Sequence, residues 1–143
     1  MIKFLHSYWA VLVLLMFIIT LFVFLKAFIN KKVFSYNKDF RIATFALIVF
    51  DIQILLGLIN YFGSTYFQGL QEGKLGAYMK VAHDRQMVME HPVMMLLALL
   101  LMHYGYRRMK KGMSSPKKYM SILIFYGIAF LMVLIRIPWK TWL

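Results

Sequence analysis

Apolar residues do not alternate with polar ones along this chain; they run together, and the long runs recur four times. Stretches such as VLVLLMFII and LLALLLM lack the period of two that a membrane barrel strand would show. Each run approaches the ~20 residues that a helix needs to cross the hydrocarbon of a bilayer. The pattern predicts helices at 7–28, 42–62, 87–106 and 119–137. The fold class expected is all-α: a polytopic membrane protein, one domain over 1–143, built as an up-down bundle of four transmembrane helices. The first run carries no charge from Ser7 to Leu25. The second is interrupted by Asp51, Gln53 and Asn60. The third opens on MVMEHPVMM, which sets Glu90, His91 and Pro92 side by side at the edge of the hydrocarbon.

Composition supports the membrane class. Hydrophobic residues make up 62% of the chain and charged ones 15%, against roughly half and about a quarter in soluble domains. The formal charge of +12 would suggest nucleic acid in a soluble protein. Here it is an orientation signal. Eleven of the seventeen basic residues lie in the connections 26–41 and 107–118, and such loops stay in the cytoplasm. Both termini are then expected outside, in a bacterial inner membrane, with the lipid bilayer and no nucleic acid as partner. The first run has no small-residue cleavage site after it, and its basic cluster follows rather than precedes it. It reads as a retained helix. With no cysteine, disulfides, thiolate metal sites and covalently attached c-type haem are excluded.

The connection 63–86 holds four glycines, and its half KLGAYMKVAHDRQM reads as a short interfacial helix running into the third span. Pro138 is expected to end the fourth helix, with Trp139 and Trp142 as interfacial anchors.

Ionisable groups inside a span are costly and become functional candidates. By topology His6 and His91 lie at similar depth near the outer surface, His91 roughly 6 Å below Met87 at 1.5 Å per residue. His83 sits in the outer loop and His103 near the inner end. His91 and His103 are separated by ~18 Å of rise and cannot share one iron. His6 and His91 come from different helices, so a haem between helices 1 and 3 is the sharp expectation, with His83 or His103 as alternative iron ligands. Against it stands the plain reading: His6 as an interfacial residue, His83 as a solvated loop residue, His103 snorkelling to the headgroups. Glu90 needs a partner, and Arg136 or Arg85 could supply it; Arg136 could instead meet a haem propionate. Pro92 shapes the start of the third helix. Asp51 has no cation at its depth and reads as a neutral hydrogen-bonding residue or a proton or ion site. Seven of twelve methionines fall between Met87 and Met113; at helical spacing they read as packing.

The stretches LHSYWA, QILLGLINYF, MEHPVMM and IFYGIAFLMVLIRIPW, in that order, resemble a family of small four-helix inner-membrane proteins of Bacteroidetes-type bacteria labelled "cytochrome B". The resemblance implies non-covalent haem b and electron transfer, with His6 and His91 as the motif histidines. Family members often carry a His where this chain has Asp51, a departure that puts a second haem there in doubt. A looser likeness to one half of haem A synthase is analogy only.

Two functions are therefore expected to compete. The first is a b-type haem protein passing electrons, quinone-linked or as a subunit of a respiratory complex, with His6 and His91 as axial ligands and Glu90 and Arg136 tuning the haem. The second is a cofactor-free structural or assembly subunit in which Glu90, His91 and Arg136 fix helix register. A homo-oligomer is compatible with both. No nucleophile with a base and no phosphate loop appears, so an electron carrier or accessory subunit is expected rather than a stand-alone enzyme. Transport through Asp51 ranks last, because no broken-helix pair or repeat accompanies it.

Overall fold

The uninterrupted apolar run at the start of the chain forms α1 (Ile2–Ile29), 28 residues long. At 1.5 Å per residue it spans about 42 Å, more than the ~30 Å of hydrocarbon. The structure, a computed structural model, describes residues 1–142. It continues with α2 (Tyr36–Phe62), two short helices α3 (Thr65–Gln71) and α4 (Leu75–Lys80), then α5 (Ala82–Met109) and α6 (Ser115–Arg136). No strand occurs among the described residues. Four of these helices, α1, α2, α5 and α6, are long and apolar enough to cross a membrane. The protein is an all-α, four-helix bundle of multi-pass membrane type.

Helices consecutive in the ring α1, α2, α5, α6 pack on one another, and α6 closes the ring on α1. Short connections make neighbours antiparallel, so both termini reach the same end; there the indole N–H of Trp142 donates to the carbonyl of Ser7 at 3.3 Å. The other end carries the two basic connections.

The bundle axis is filled by large side chains. Phe17 stacks on Phe130 at 5.1 Å and meets Phe50 edge-on at 5.6 Å. Phe24, Met102, Ile122 and Tyr126 are fully buried beside them. The outer faces carry Phe22, Leu55, Leu100 and Leu131, all exposed; lipid would cover them. Polar side chains that do enter the bundle bind backbone across helices. Trp9 Nε1 donates to Val49 O at 2.9 Å, Tyr126 Oη to Ala43 O at 2.9 Å and Ser121 Oγ to Gly105 O at 2.9 Å. At Gly105 α5 and α6 approach closely, since a Cβ there would stand 2.5 Å from Phe125 Cβ.

The helix count and the short interfacial helix agree with the sequence pattern, but the ends differ. α2 begins with a π-helical turn at Tyr36–Phe40, whose Asp39 folds back to accept the Ser35 N–H at 2.9 Å. α6 begins at Ser115 rather than 119, because Ser114 is extended and Pro116 fits the first helical turn. Lys118 is thereby buried inside a helix. Its ammonium donates to Met109 O, Lys111 O and Tyr36 Oη at 2.8, 2.9 and 3.2 Å. α6 ends at Arg136 as expected, since Ile137, ahead of Pro138, is extended.

Candidate functional site

At the end bearing the termini, small residues replace the large ones of the axis. Ser7 and Ala10 on α1 face Gly57 on α2, and a cavity of about 360 Å³ opens there. His6, His83 and His91 line it, together with residues of all four spanning helices and Trp142. Its size lies within the range of small-molecule sites, roughly 300–1,000 Å³.

His6 and His91 face each other across this space. Their ring centroids are 6.4 Å apart and their planes cross at 89°. Each imidazole is set by its surroundings. His91 Nδ1 lies 2.8 Å from the carbonyl oxygen of Arg136. A carbonyl only accepts, so Nδ1 carries the proton and Nε2 keeps its lone pair free. That is how proteins prepare a metal-ligating histidine. The His6 carbonyl accepts from Gln53 Nε2 at 3.1 Å, which fixes α1 against α2. The His6 ring lies against Gly57, where a Cβ would come within 3.0 Å of its Cε1. His6 Nδ1 is buried and has no hydrogen-bond partner.

The backbone before His91 is unusual. Gln86–Glu90 form a π-helical turn inside α5, a feature often found at functional sites. The sequence places Pro92 near the start of the third helix. It lies instead ten residues after Ala82, because the interfacial helix runs on into the span. Pro92 has no N–H for the carbonyl four residues back. That carbonyl, Val88 O, accepts from Tyr61 Oη at 2.9 Å instead. Proline, wide turn and tyrosine thus form one device that sets the direction of His91. His91 stands nine residues, about 13 Å, from the first residue of α5.

Glu90 takes both of its candidate partners rather than one. Arg85 Nε donates to Oε1 at 2.9 Å and Arg136 Nη1 to Oε2 at 2.8 Å. The network ties α5 to the end of α6, whose last carbonyl holds His91. His83 is not in an irregular loop but in the first turn of α5, exposed at the cavity wall. Tyr66 Oη donates to Asp84 Oδ1 at 3.1 Å nearby; burial and the carboxylate push this phenol above its ordinary pKa.

Two expectations fail. Asp51 does have a partner, and His103 does not snorkel: His103 Nε2 lies 2.9 Å from Asp51 Oδ1. The two residues meet across the contact between α2 and α5. A second polar contact, Tyr106 Oη with Thr44 Oγ1 at 2.8 Å, lies about one turn farther along α5 and two along α2. The Asp51–His103 pair is also far from the cavity, which removes His103 as an alternative ligand there.

The donor set at the cavity can be tested against a metal group. A haem brings four ring nitrogens and asks the protein for two axial ligands. The two imidazoles stand 6.4 Å apart, edge to face, in the same cavity, and His6 and His91 are the residues that would hold a haem iron. No family model, curated protein or solved structure matches the chain, so the reading of the site rests on its geometry.

Proposed function

We propose that the chain is a b-type haem protein of the membrane, binding one haem without covalent attachment between His6 and His91 and serving electron transfer, with a quinone or a respiratory-complex subunit as redox partner. The observation that carries the reading is the facing of two imidazoles at 6.4 Å, one of them with its Nδ1 proton committed to a carbonyl 2.8 Å away. When bound, the haem would supply a one-electron redox centre. The chain's part is to orient His91 through Arg136 O, to hold His6 against Gly57, and to keep water out with Trp142 and the apolar wall. Glu90 fixes the two arginines, leaving Arg136 Nε buried without a partner next to the site.

A cofactor-free subunit remains the second reading. The Arg85–Glu90–Arg136 network favours it, because both oxygens of Glu90 are paired without any ligand. Colour separates the two. A reduced-minus-oxidised visible spectrum of gently purified protein, with haem quantified as the pyridine haemochrome, is expected to give the sharp α-band of a six-coordinate b haem. His6→Ala and His91→Ala should each abolish or broaden it. A colourless protein from haem-replete cells would overturn the proposal and leave the structural role.

A further inference from the structure

A second cavity, of about 370 Å³, lies at the opposite end of the bundle. It is enclosed by the last turns of α1, the connection to α2 and the ring of Tyr119. Lys26, Lys32 and Lys38, all exposed, line it from three different backbone positions. One carboxylate, Asp39, lies at its buried wall. That carboxylate is already occupied, accepting from Tyr119 Oη at 2.6 Å and from the Ser35 N–H at 2.9 Å. No lysine nitrogen stands within 4.0 Å of it, and among the described residues Lys74 is the one lysine in an ion pair. Three ammonium groups against one carboxylate leave the cavity two positive charges in excess.

Capping of α1 does not explain the lysines. The carbonyls of the last turn are satisfied by backbone: Lys31 N donates to Phe28 O at 3.2 Å and Lys32 N to Ala27 O at 3.0 Å. This turn holds Lys31 at φ +52, a left-handed conformation that glycine adopts freely and a residue with a Cβ does not. Beyond this turn Lys32 lines the same cavity as Lys26. The orientation signal does not explain the grouping either. Arg107, Lys111 and Lys117, in the other basic connection, line neither cavity. The position along the bundle adds a last constraint. Phe22 and Val23 form one wall, and Phe22 and Val33 are exposed where lipid acyl chains would lie.

We propose that this cavity binds the phosphodiester headgroup of an anionic phospholipid, with Lys26, Lys32 and Lys38 around the phosphate and Phe22 and Val23 against the acyl chains. Basic pockets between spanning helices on the cytoplasmic side are suited to such headgroups. The chemistry recognised is a phosphate oxyanion. Free phosphate shares it but has no use for the apolar wall.

The test uses the full chain, delipidated in a neutral detergent and titrated with phosphatidylglycerol or with phosphatidylcholine of the same acyl chains, adducts being counted by native mass spectrometry. Phosphatidylglycerol is expected to bind preferentially. The triple variant Lys26→Gln/Lys32→Gln/Lys38→Gln should lose roughly a hundredfold in affinity, each lysine near an anionic headgroup being worth about a factor of five. The equally discharged control Arg107→Gln/Lys111→Gln/Lys117→Gln should keep most of it. Arginine at the three pocket positions should restore binding, and an unchanged melting curve shows that the triple variant folds. Equal losses in both triple variants would overturn the proposal, since a diffuse positive face would then suffice. Displacement of phosphatidylglycerol by inorganic phosphate at comparable concentration would also overturn it, assigning the cavity to the free ion. None of these outcomes depends on haem.

Discussion

Gly57 gives the sharpest handle on the site, because it separates helix stability from ligand geometry. A methyl at this position would stand 3.0 Å from His6 Cε1, whereas unstrained carbon–carbon contacts lie at about 3.5–4.0 Å. Either α1 or the ring must therefore yield by about half an ångström. The helix itself gains, since alanine is preferred over glycine by up to about 1 kcal/mol within a helix. That gain offsets part of an overpacking penalty of about 1–3 kcal/mol, so the ligand-free protein changes little. Metal ligands, in contrast, tolerate misplacement of only about 0.2 Å. On the haem reading, Gly57→Ala should weaken haem binding about tenfold to a hundredfold, as loss of a group that orients a ligand does. Gly57→Leu should empty the site by filling the cavity. The assay is haem retained per protein after gel filtration, alongside thermal melting of the haem-free chain. A Gly57→Leu protein with full haem and an unaltered α-band would refute the reasoning, since His6 then could not be a ligand lying against α2. A readout free of haem is the His6 Cε1–H proton resonance, which Gly57→Ala should shift and Gly127→Ala should not.

Further outcomes follow from packing and pairing. Gly105→Ala should destabilise by about 1–3 kcal/mol, because its Cβ meets Phe125 Cβ at 2.5 Å and a Cβ moves only with its backbone. Gly127→Ala, with nothing within 4 Å, should be neutral or stabilising; equal melting temperatures for the two variants would contradict this account of the α5–α6 contact. His103→Leu or Asp51→Leu alone strands one polar group of the 2.9 Å pair and should cost about 1–3 kcal/mol. The double variant should recover most of that in a double-mutant cycle followed by unfolding in mixed micelles; additive losses would mean that the pair is not coupled.

The four spans were legible because each is a long, predominantly apolar run, and no soluble arrangement of helices leaves so many large apolar side chains exposed. Their ends were less legible. Lys118 looks like a loop residue by type, yet three acceptors brought by the chain ends on either side let it sit inside the protein. The pairing of Asp51 with His103 was hidden for a related reason. Counting along the apolar runs put Asp51 mid-span and His103 near an inner end, and such a count carries no information on how neighbouring helices are staggered. At the candidate site, His6, Glu90, His91 and Arg136 stood out as ionisable groups near hydrocarbon. Gly57 and Ser7 did not, since a small side chain carries no chemistry until something lies opposite it. Tyr61 had a signal that could have been used. A proline at 92 frees the carbonyl of Val88, and a tyrosine at the facing end of α2 is a donor of the right reach.

The two ends of the bundle treat their polar groups differently, and that difference bears on function. At the basic end Lys118 has three acceptors and Asp39 two donors. This fold can satisfy buried charge fully where nothing else is required. Four buried side-chain polar atoms lack a partner among the described residues, and three of them, His6 Nδ1, Gln53 Oε1 and Arg136 Nε, belong to residues lining the first cavity or holding His91. Leaving such an atom bare costs about 1–3 kcal/mol. A thermodynamic deficit gathered round one cavity is relieved by a ligand that brings its own polar groups. On the proposed reading, a haem would bring an iron for the imidazoles and carboxylates for a guanidinium. A purely structural network gives no reason for the deficit to collect where two imidazoles face each other.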